Sequence, residues 1–369
     1  MANYKFVYNA LEVDIELPVD DYLMLEFGVL DISRNPADFI SRLSNSIGNT
    51  PTLTADTLII LNAMAWSVDE NVGWVAPLNS FAECIPNKII VINGKLNNVS
   101  RDIPELKFGL YRINQFSQFA NLIYDKQVAV SGRDATQDIH YPKDKKLYWA
   151  NTKDIYWRRY MLAGLHNNDV IKDSLVNYKC IVSDIPSDMS SGSTGMRTSN
   201  QSVRQHVISE CASVQDIVPL PSLDDTIEVD HTDCKFHLRT FVGLTVETFF
   251  ECNGIFFSEK VFNSIAYKQI FFYVGARGAL EWLRTHRGYN TFDHVIDTSY
   301  DDIEDNWERL IAARKSLLNF INQPIEKIAE IYNNCKPLIE QNFEIFRNEG
   351  FPIDLYYTIE HCVKNEEAA

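Results

Sequence analysis

The sequence is short of positive charge: 34 Lys and Arg stand against 50 Asp and Glu, a net of −16. That balance weakens any picture in which the whole surface attracts phosphate or anionic lipid. Cysteine is sparse as well. The seven thiols are scattered from Cys84 to Cys362, odd in number and without a C-x-x-C pair, which reads as buried thiols in a reducing compartment. No apolar run approaches roughly 18 residues, and the first residues lack the basic and apolar regions of a signal peptide. A cytoplasmic chain without a membrane partner is expected. The loops G-x-x-x-x-G-K-[ST], G-x-S-x-G and G-x-G-x-x-G are all absent, so P-loop hydrolysis, α/β-hydrolase chemistry and a nicotinamide-binding fold lose support. No internal repeat with a period of about 20 to 50 residues occurs, which excludes solenoids and propellers.

What is present describes a folded chain. With 369 residues and 46% hydrophobic content, the length suits two domains of ordinary size. The negative charge is uneven: residues 296–369 hold 15 acidic and 7 basic side chains. Between Lys143 and Tyr160 the balance reverses, with Lys143, Lys145, Lys146, Lys153, Arg158 and Arg159 against Asp144 and Asp154. A local anion site is compatible with that stretch.

Short β-rich runs alternate with helical spacing, the signature of α/β layering. Strands are expected at Lys5–Tyr8, Thr57–Leu61, Lys88–Ile92, Lys107–Ile113 and Gln127–Val130, with helices at Pro36–Ile47, Leu78–Ile85 and Gln115–Ile123. After a polar linker over Ser131–Lys145 the alternation restarts: strand Leu147–Ala150, helix Asp154–Asn167 and strand Val176–Val182. A Ser/Gly-dense stretch, Pro186–Asn200, is a candidate lid. Then follow a strand with a turn over Phe236–Phe250, helix Ser258–Tyr267, strand Ile270–Val274 and helix Gly278–Arg287. From Asp302 onward the pattern is helical, with Pro324, Pro337 and Pro352 marking breaks. The expected fold is two Rossmann-like α/β domains facing a central cleft, 1–142 and 143–345, with a helical C-terminal tail, 346–369, that crosses back onto the first domain.

The sharpest local signal is Val246-Glu-Thr-Phe-Phe-Glu-Cys-Asn-Gly-Ile-Phe-Phe-Ser-Glu-Lys-Val-Phe262, followed by Ile270-Phe-Phe-Tyr-Val-Gly275. A strand leads into a loop, Ser258 stands as N-cap, and Glu259 and Lys260 fall in the first helical turn. A lysine there opposes the helix dipole unless an anionic ligand completes the site. The segment resembles the donor-binding region of α1,3-fucosyltransferases and of related glycosyltransferases of tailed phages. That pattern runs apolar strand, Glu, loop, Thr-Glu-Lys, apolar helix, then a strand ending in Gly. The resemblance implies a GT-B-like fold and a nucleotide-diphosphate sugar as co-substrate, with no other cofactor. It also implies that Glu259 accepts from the donor ribose hydroxyls and that Lys260 neutralises the diphosphate. The upstream Glu of the pattern matches Glu247, or Glu251 by an E-x7-E spacing; Asn253 and Gly275 fall among its donor-side positions.

A second segment carries the same resemblance. Lys146-Leu-Tyr-Trp-Ala-Asn151 is an apolar strand ending in Asn, and Arg158 follows seven residues later on a helix, where its fork can hold a phosphate. Thr152, Ile155 and Trp157 replace basic residues of the phage pattern, and Arg159 is the candidate to compensate. The acidic stretch Tyr289–Asp305 reads as a rigid turn with N-caps rather than a metal site. His231, Cys234 and His237 lack a second ligand cluster. No apolar strand ends in Asp-x-Asp, the mark of metal-dependent glycosyltransferases of the other major fold, so metal independence is expected.

Sugar transfer needs a held diphosphate, stabilisation of its growing charge and, for inversion, a base. Arg158 and Lys260 serve the first two. Asp69 and Glu70, on the loop after Thr57–Leu61, are the candidate bases, with Glu247 as the further catalytic candidate. The phage relatives point to a hydroxylated base in DNA, which is the expected acceptor. The net charge points instead to a glycan or small hydroxyl, and a non-catalytic nucleotide- or carbohydrate-binding protein of this fold is the other class.

Overall fold

The computed structural model describes residues 2–8, 11–17, 22–26, 36–49, 58–63, 75–85, 89–93, 109–112, 142–151, 155–178, 201–214, 234–248, 250–251 and 255–348. The chain divides into two compact units, drawn chiefly from residues 1–119 and 120–349. Each contains a four-stranded, wholly parallel sheet. The α/β class expected from the alternation therefore holds in both units.

The first unit opens with an antiparallel hairpin, β1 (Ala2–Tyr8) on β2 (Leu11–Leu17), in register from Ala2↔Leu17 to Tyr8↔Leu11. The expected strand at Lys5–Tyr8 is thus real but lies outside the parallel sheet. That sheet begins instead with β3 (Tyr22–Glu26), followed by helix α1 (Pro36–Gly48), β4 (Leu58–Ala63), α2 (Val75–Cys84), β5 (Ile89–Asn93) and β6 (Gly109–Arg112). Its strands lie side by side in chain order. The expected helix Gln115–Ile123, strand Gln127–Val130, the Asp69–Glu70 loop, the Pro186–Asn200 stretch and the tail from 349 on lie outside the described residues.

The second unit holds β7 (Lys145–Asn151), α3 (Tyr156–Asn167), β8 (Leu175–Tyr178), α4 (Gln201–Ala212), α5 (Cys234–Leu238), β9 (Thr240–Val246), α6 (Glu259–Ala266) and β10 (Ile270–Val274). Every residue of β9 and β10 is buried. Their largely apolar sequences, broken in β9 only by Thr240, Gly243 and Thr245, are what a parallel strand covered on both faces requires. The strand expected from Phe236 starts at Thr240, because Cys234–Leu238 turns as a short helix first.

Strand order is β8-β7-β9-β10, so the chain leaves β7 in one direction and β9 in the other. Right-handed crossovers in opposite directions put α3 and α6 on opposite faces of the sheet. Their N-termini then flank the carboxyl ends of β7 and β9, the switch point where open α/β sheets bind ligands. α3 packs with α4 and with α8 (Asn306–Ile321), whereas α6 packs with α9 (Ile325–Asn348).

Gly243 on β9 allows the α6 approach: a Cβ there would meet Ser264 Cβ at 2.7 Å and Gln269 Oε1 at 2.8 Å. Pro324 separates α8 from α9 as expected, but Pro337 sits inside α9 without ending it. Pro337 is exposed, while Tyr332, Cys335, Ile339 and Phe343 on the opposite face are buried. Packing of that face outweighs the lost backbone hydrogen bond.

Candidate active site

The acidic stretch 289–305 carries the N-caps expected of it. Asp305 accepts from the Trp307 and Glu308 N–H groups at the start of α8. Asp297 accepts from the Ser299 N–H and hydroxyl. Asp301 accepts from the Leu280 and Glu281 N–H groups, capping α7 (Ala279–Trp282), which runs on as a π-helical turn to Arg287. Among the described residues no cluster of three His, Cys, Asp or Glu side chains could hold a metal. His237 is a core residue, its Nδ1 2.8 Å from Gln269 Oε1 and its ring stacked on Tyr267.

At the switch point the structure gathers most of the sequence-derived residues. Asn151 ends β7 and is buried. Glu247 follows β9 directly, with its N–H donating to the Val274 carbonyl at the end of β10. Ser258 occupies the N-cap position of α6, with extended backbone, but its hydroxyl does not cap that helix. Instead, the Ser258 N–H and hydroxyl both donate to Glu247 Oε1, at 2.8 and 2.9 Å. Burial pushes the Glu247 carboxyl up; Lys260 and the Ser258 donors oppose that push. Lys260, which opposes the helix dipole on its own, is paired with Glu259 at 2.6 Å, so the first turn of α6 is internally neutral. Beneath Lys260 a small cavity opens against Tyr148, His237, Asn263 and Ser264.

The first turn of α3 grips the exit of β9. Tyr156 donates its hydroxyl to Glu251 Oε1, Trp157 its indole N–H to the Glu247 carbonyl at 2.8 Å, and Arg158 its Nε to the Val246 carbonyl at 2.8 Å. Arg158 Nη2 also donates to Thr248 Oγ1 at 3.0 Å. From the far side, Arg309 of α8 donates Nη2 to the Phe250 carbonyl at 2.9 Å and rests its guanidinium 4.5 Å from the Phe250 ring. Tyr156, Thr248 and Arg309 were not singled out by the sequence, and Trp157 was named only as a departure from the phage pattern. The aromatic pair immediately before Arg158 was the available signal.

Arg158 is 2% exposed. Burial lowers its pKa, against the electrostatic influence of Glu247, Tyr178 and Glu259. Among the described residues no carboxylate lies within ion-pair distance of it, and only its Nε and Nη2 are hydrogen-bonded. α3 begins without a side-chain cap at Ile155 and with no acidic residue in its first turn. An uncapped helix start and an incompletely engaged guanidinium therefore coincide at the crevice, an arrangement suited to an anion.

Other expected roles change. Arg159, the candidate to compensate for missing phosphate contacts, is fully buried in α3, as Arg158 nearly is. Gly275 follows β10 where a Cβ would meet the Tyr273 ring at 2.5 Å, a steric requirement in its own right. Asn253, Asp69 and Glu70 lie outside the described residues. The basic run 143–160 is not a surface patch. Lys143 donates to the Leu238 and Thr240 carbonyls, Lys145 to the Lys172 carbonyl, Lys146 is buried 3.8 Å from Asp173, and both arginines are buried. Lys153 lies outside the described residues. Among those residues no helix is long and apolar enough to cross a membrane.

No family model and no curated protein sequence matches the chain. Solved structures similar to it include three α,α-trehalose-phosphate synthases, the first two titled UDP-forming. That of Burkholderia vietnamiensis aligns with TM-score 0.40 and 11% identity over 89% of this chain and 77% of its own. Those of Burkholderia xenovorans and Burkholderia multivorans align with TM-score 0.39 and 12% identity; they cover 91% and 89% of this chain, and 73% and 76% of their own.

Proposed function

We propose that the switch-point crevice binds the diphosphate of a nucleotide sugar and that the protein is a glycosyltransferase, passing the sugar to an acceptor hydroxyl. The observation that carries this reading is Arg158, a buried cation that among the described residues has no carboxylate partner and a free Nη1, at an uncapped helix start. Burying such a charge is unfavourable unless an anion completes its surroundings. Arg158 and Lys260 neutralise the diphosphate and the charge that grows on it as the glycosidic bond breaks. That division of labour is metal-independent. Glu259 accepts from the ribose hydroxyls, Asn151, Glu251, Asn253 and Ser258 complete the donor contacts, and Asp69 or Glu70 takes the acceptor proton.

For the acceptor, a glycan or small-molecule hydroxyl is favoured over a modified DNA base. The basic side chains between 143 and 160 are largely engaged within the fold, and the chain carries a net charge of −16. A phosphate-contacting enzyme would lose DNA affinity steeply as salt rises. Little DNA binding at low salt is therefore expected, and a steep salt slope would restore the DNA acceptor.

The reading is tested by thermal shift against nucleoside diphosphates and their sugars, together with donor hydrolysis in the absence of acceptor. A diphosphate nucleotide should raise the melting temperature, its sugar should be slowly hydrolysed, and Lys260→Ala should reduce affinity and turnover together. Stabilisation without hydrolysis or transfer would leave a binding module. Indifference to every nucleotide would remove the reading.

A further inference from the structure

We propose that a diphosphate enters this crevice together with a proton, which settles on Glu247 and lets that side chain donate a hydrogen bond to a phosphate oxygen. The proposal rests on the nucleotide-diphosphate reading above. Glu247 is 1% exposed, and both Ser258 donors converge on one of its oxygens, Oε1. Oε2 has no partner among the described residues. The charged groups facing it are Lys260 and Glu259 from α6 and Arg158 from α3, while β10 contributes only the Val274 carbonyl that accepts the Glu247 N–H.

Before a ligand arrives Glu247 and Glu259 face Arg158 and Lys260, a balanced set around this carboxyl. A diphosphate draws Arg158 and Lys260 to its own oxygens, and the carboxylate with the least access to water is left without compensation. Glu247 then takes a proton from solvent at Oε2. The protonated group remains an acceptor at Oε1, so the Ser258 contacts and the start of α6 are undisturbed, while Oε2–H becomes a donor. Burial already raises the affinity of this carboxyl for a proton, which favours its being the group that responds.

The test is binding of uridine diphosphate and guanosine diphosphate to the full chain from pH 5.5 to 9 by calorimetry, in two buffers of different ionisation enthalpy. Wild type is compared with Glu247→Gln, whose amide accepts at one end and donates at the other, as the protonated acid does. Relative to the variant, wild-type affinity should fall about tenfold per pH unit between the free and bound pKa values of Glu247. Up to one proton should be taken up per ligand within that window. The variant should show neither effect, a measured proton uptake by it would overturn the proposal, and its melting curve establishes that it is folded. Binding with the same pH course in both proteins would overturn the proton coupling and leave the nucleotide reading intact. No binding of either diphosphate by wild type would overturn both.

Discussion

The Trp157 indole N–H donates to the Glu247 carbonyl at 2.8 Å, so α3 holds the exit of β9 by its backbone while the Glu247 carboxylate is bound by Ser258 at the start of α6. One residue thus joins the helices on the two faces of the sheet. Each helix start is fixed relative to the other through it.

Trp157→Phe tests that junction. It keeps an aromatic ring against Phe250 but leaves a buried carbonyl without its donor. A loss of about 1–3 kcal/mol is expected from the urea midpoint. Nucleotide affinity should fall further than the loss of folded protein accounts for, because Glu247 loses its register with Ser258. Unchanged affinity in the folded variant would mean that the carboxylate is positioned by Ser258 alone.

Asp301 gives a pH signature. Burial pushes its pKa up from the usual carboxylate value to about 6, despite two backbone N–H donors. The folded protein therefore holds a proton that the unfolded chain has already released, and stability from this group is lost as pH rises from about 4 to about 6. A shift of about two units corresponds to about 3 kcal/mol. Asp301→Asn has no such titration. The stability of wild type minus that of Asp301→Asn, from urea melts across this range, should fall with rising pH. A rising difference would show that ion pairing outweighs burial.

Gly243→Ala addresses the contact between β9 and α6. The added methyl would strike Ser264 and Gln269, and Gln269 is also engaged by His237 and Thr240. Relief requires moving α6, so a cost of about 1–3 kcal/mol is expected in chemical denaturation. A melting temperature within a degree of wild type would show that α6 shifts freely.

What the sequence disclosed and what it hid follow from the range of the interactions. The mainly apolar runs before Glu247 and Gly275 marked β9 and β10, and Ser258 marked the start of α6, because each is a local signal. The partner of Ser258 was not legible, since Glu247 lies eleven residues earlier on another element and meets it only through the fold. Arg158 was read as a phosphate ligand, yet two of its three nitrogens serve the backbone and Thr248, contacts that no spacing rule encodes. The hairpin partner β2 was missed although the signal was there: Leu11, Val13, Ile15 and Leu17 alternate with Glu12, Asp14 and Glu16. Pro337 misled because the cost of a proline is local, whereas the packing that overrides it is not.

Arg158 also allows charge and shape to be separated. Arg158→Met removes both, whereas Arg158→Lys keeps a cation but cannot reach the Val246 carbonyl, Thr248 and a ligand from one planar group. Both variants should lose stability, because the Val246 carbonyl and Thr248 hydroxyl lose their donors. If the free Nη1 awaits a phosphate oxygen, Arg158→Met should weaken nucleoside diphosphate binding by about 10- to 100-fold, the range of a charge-assisted hydrogen bond, and Arg158→Lys by less. Calorimetric titration of the folded variants reads this directly. Equal affinities in wild type, Lys and Met forms would reduce Arg158 to a clamp on the strand end and would leave the crevice without its principal anion-binding group.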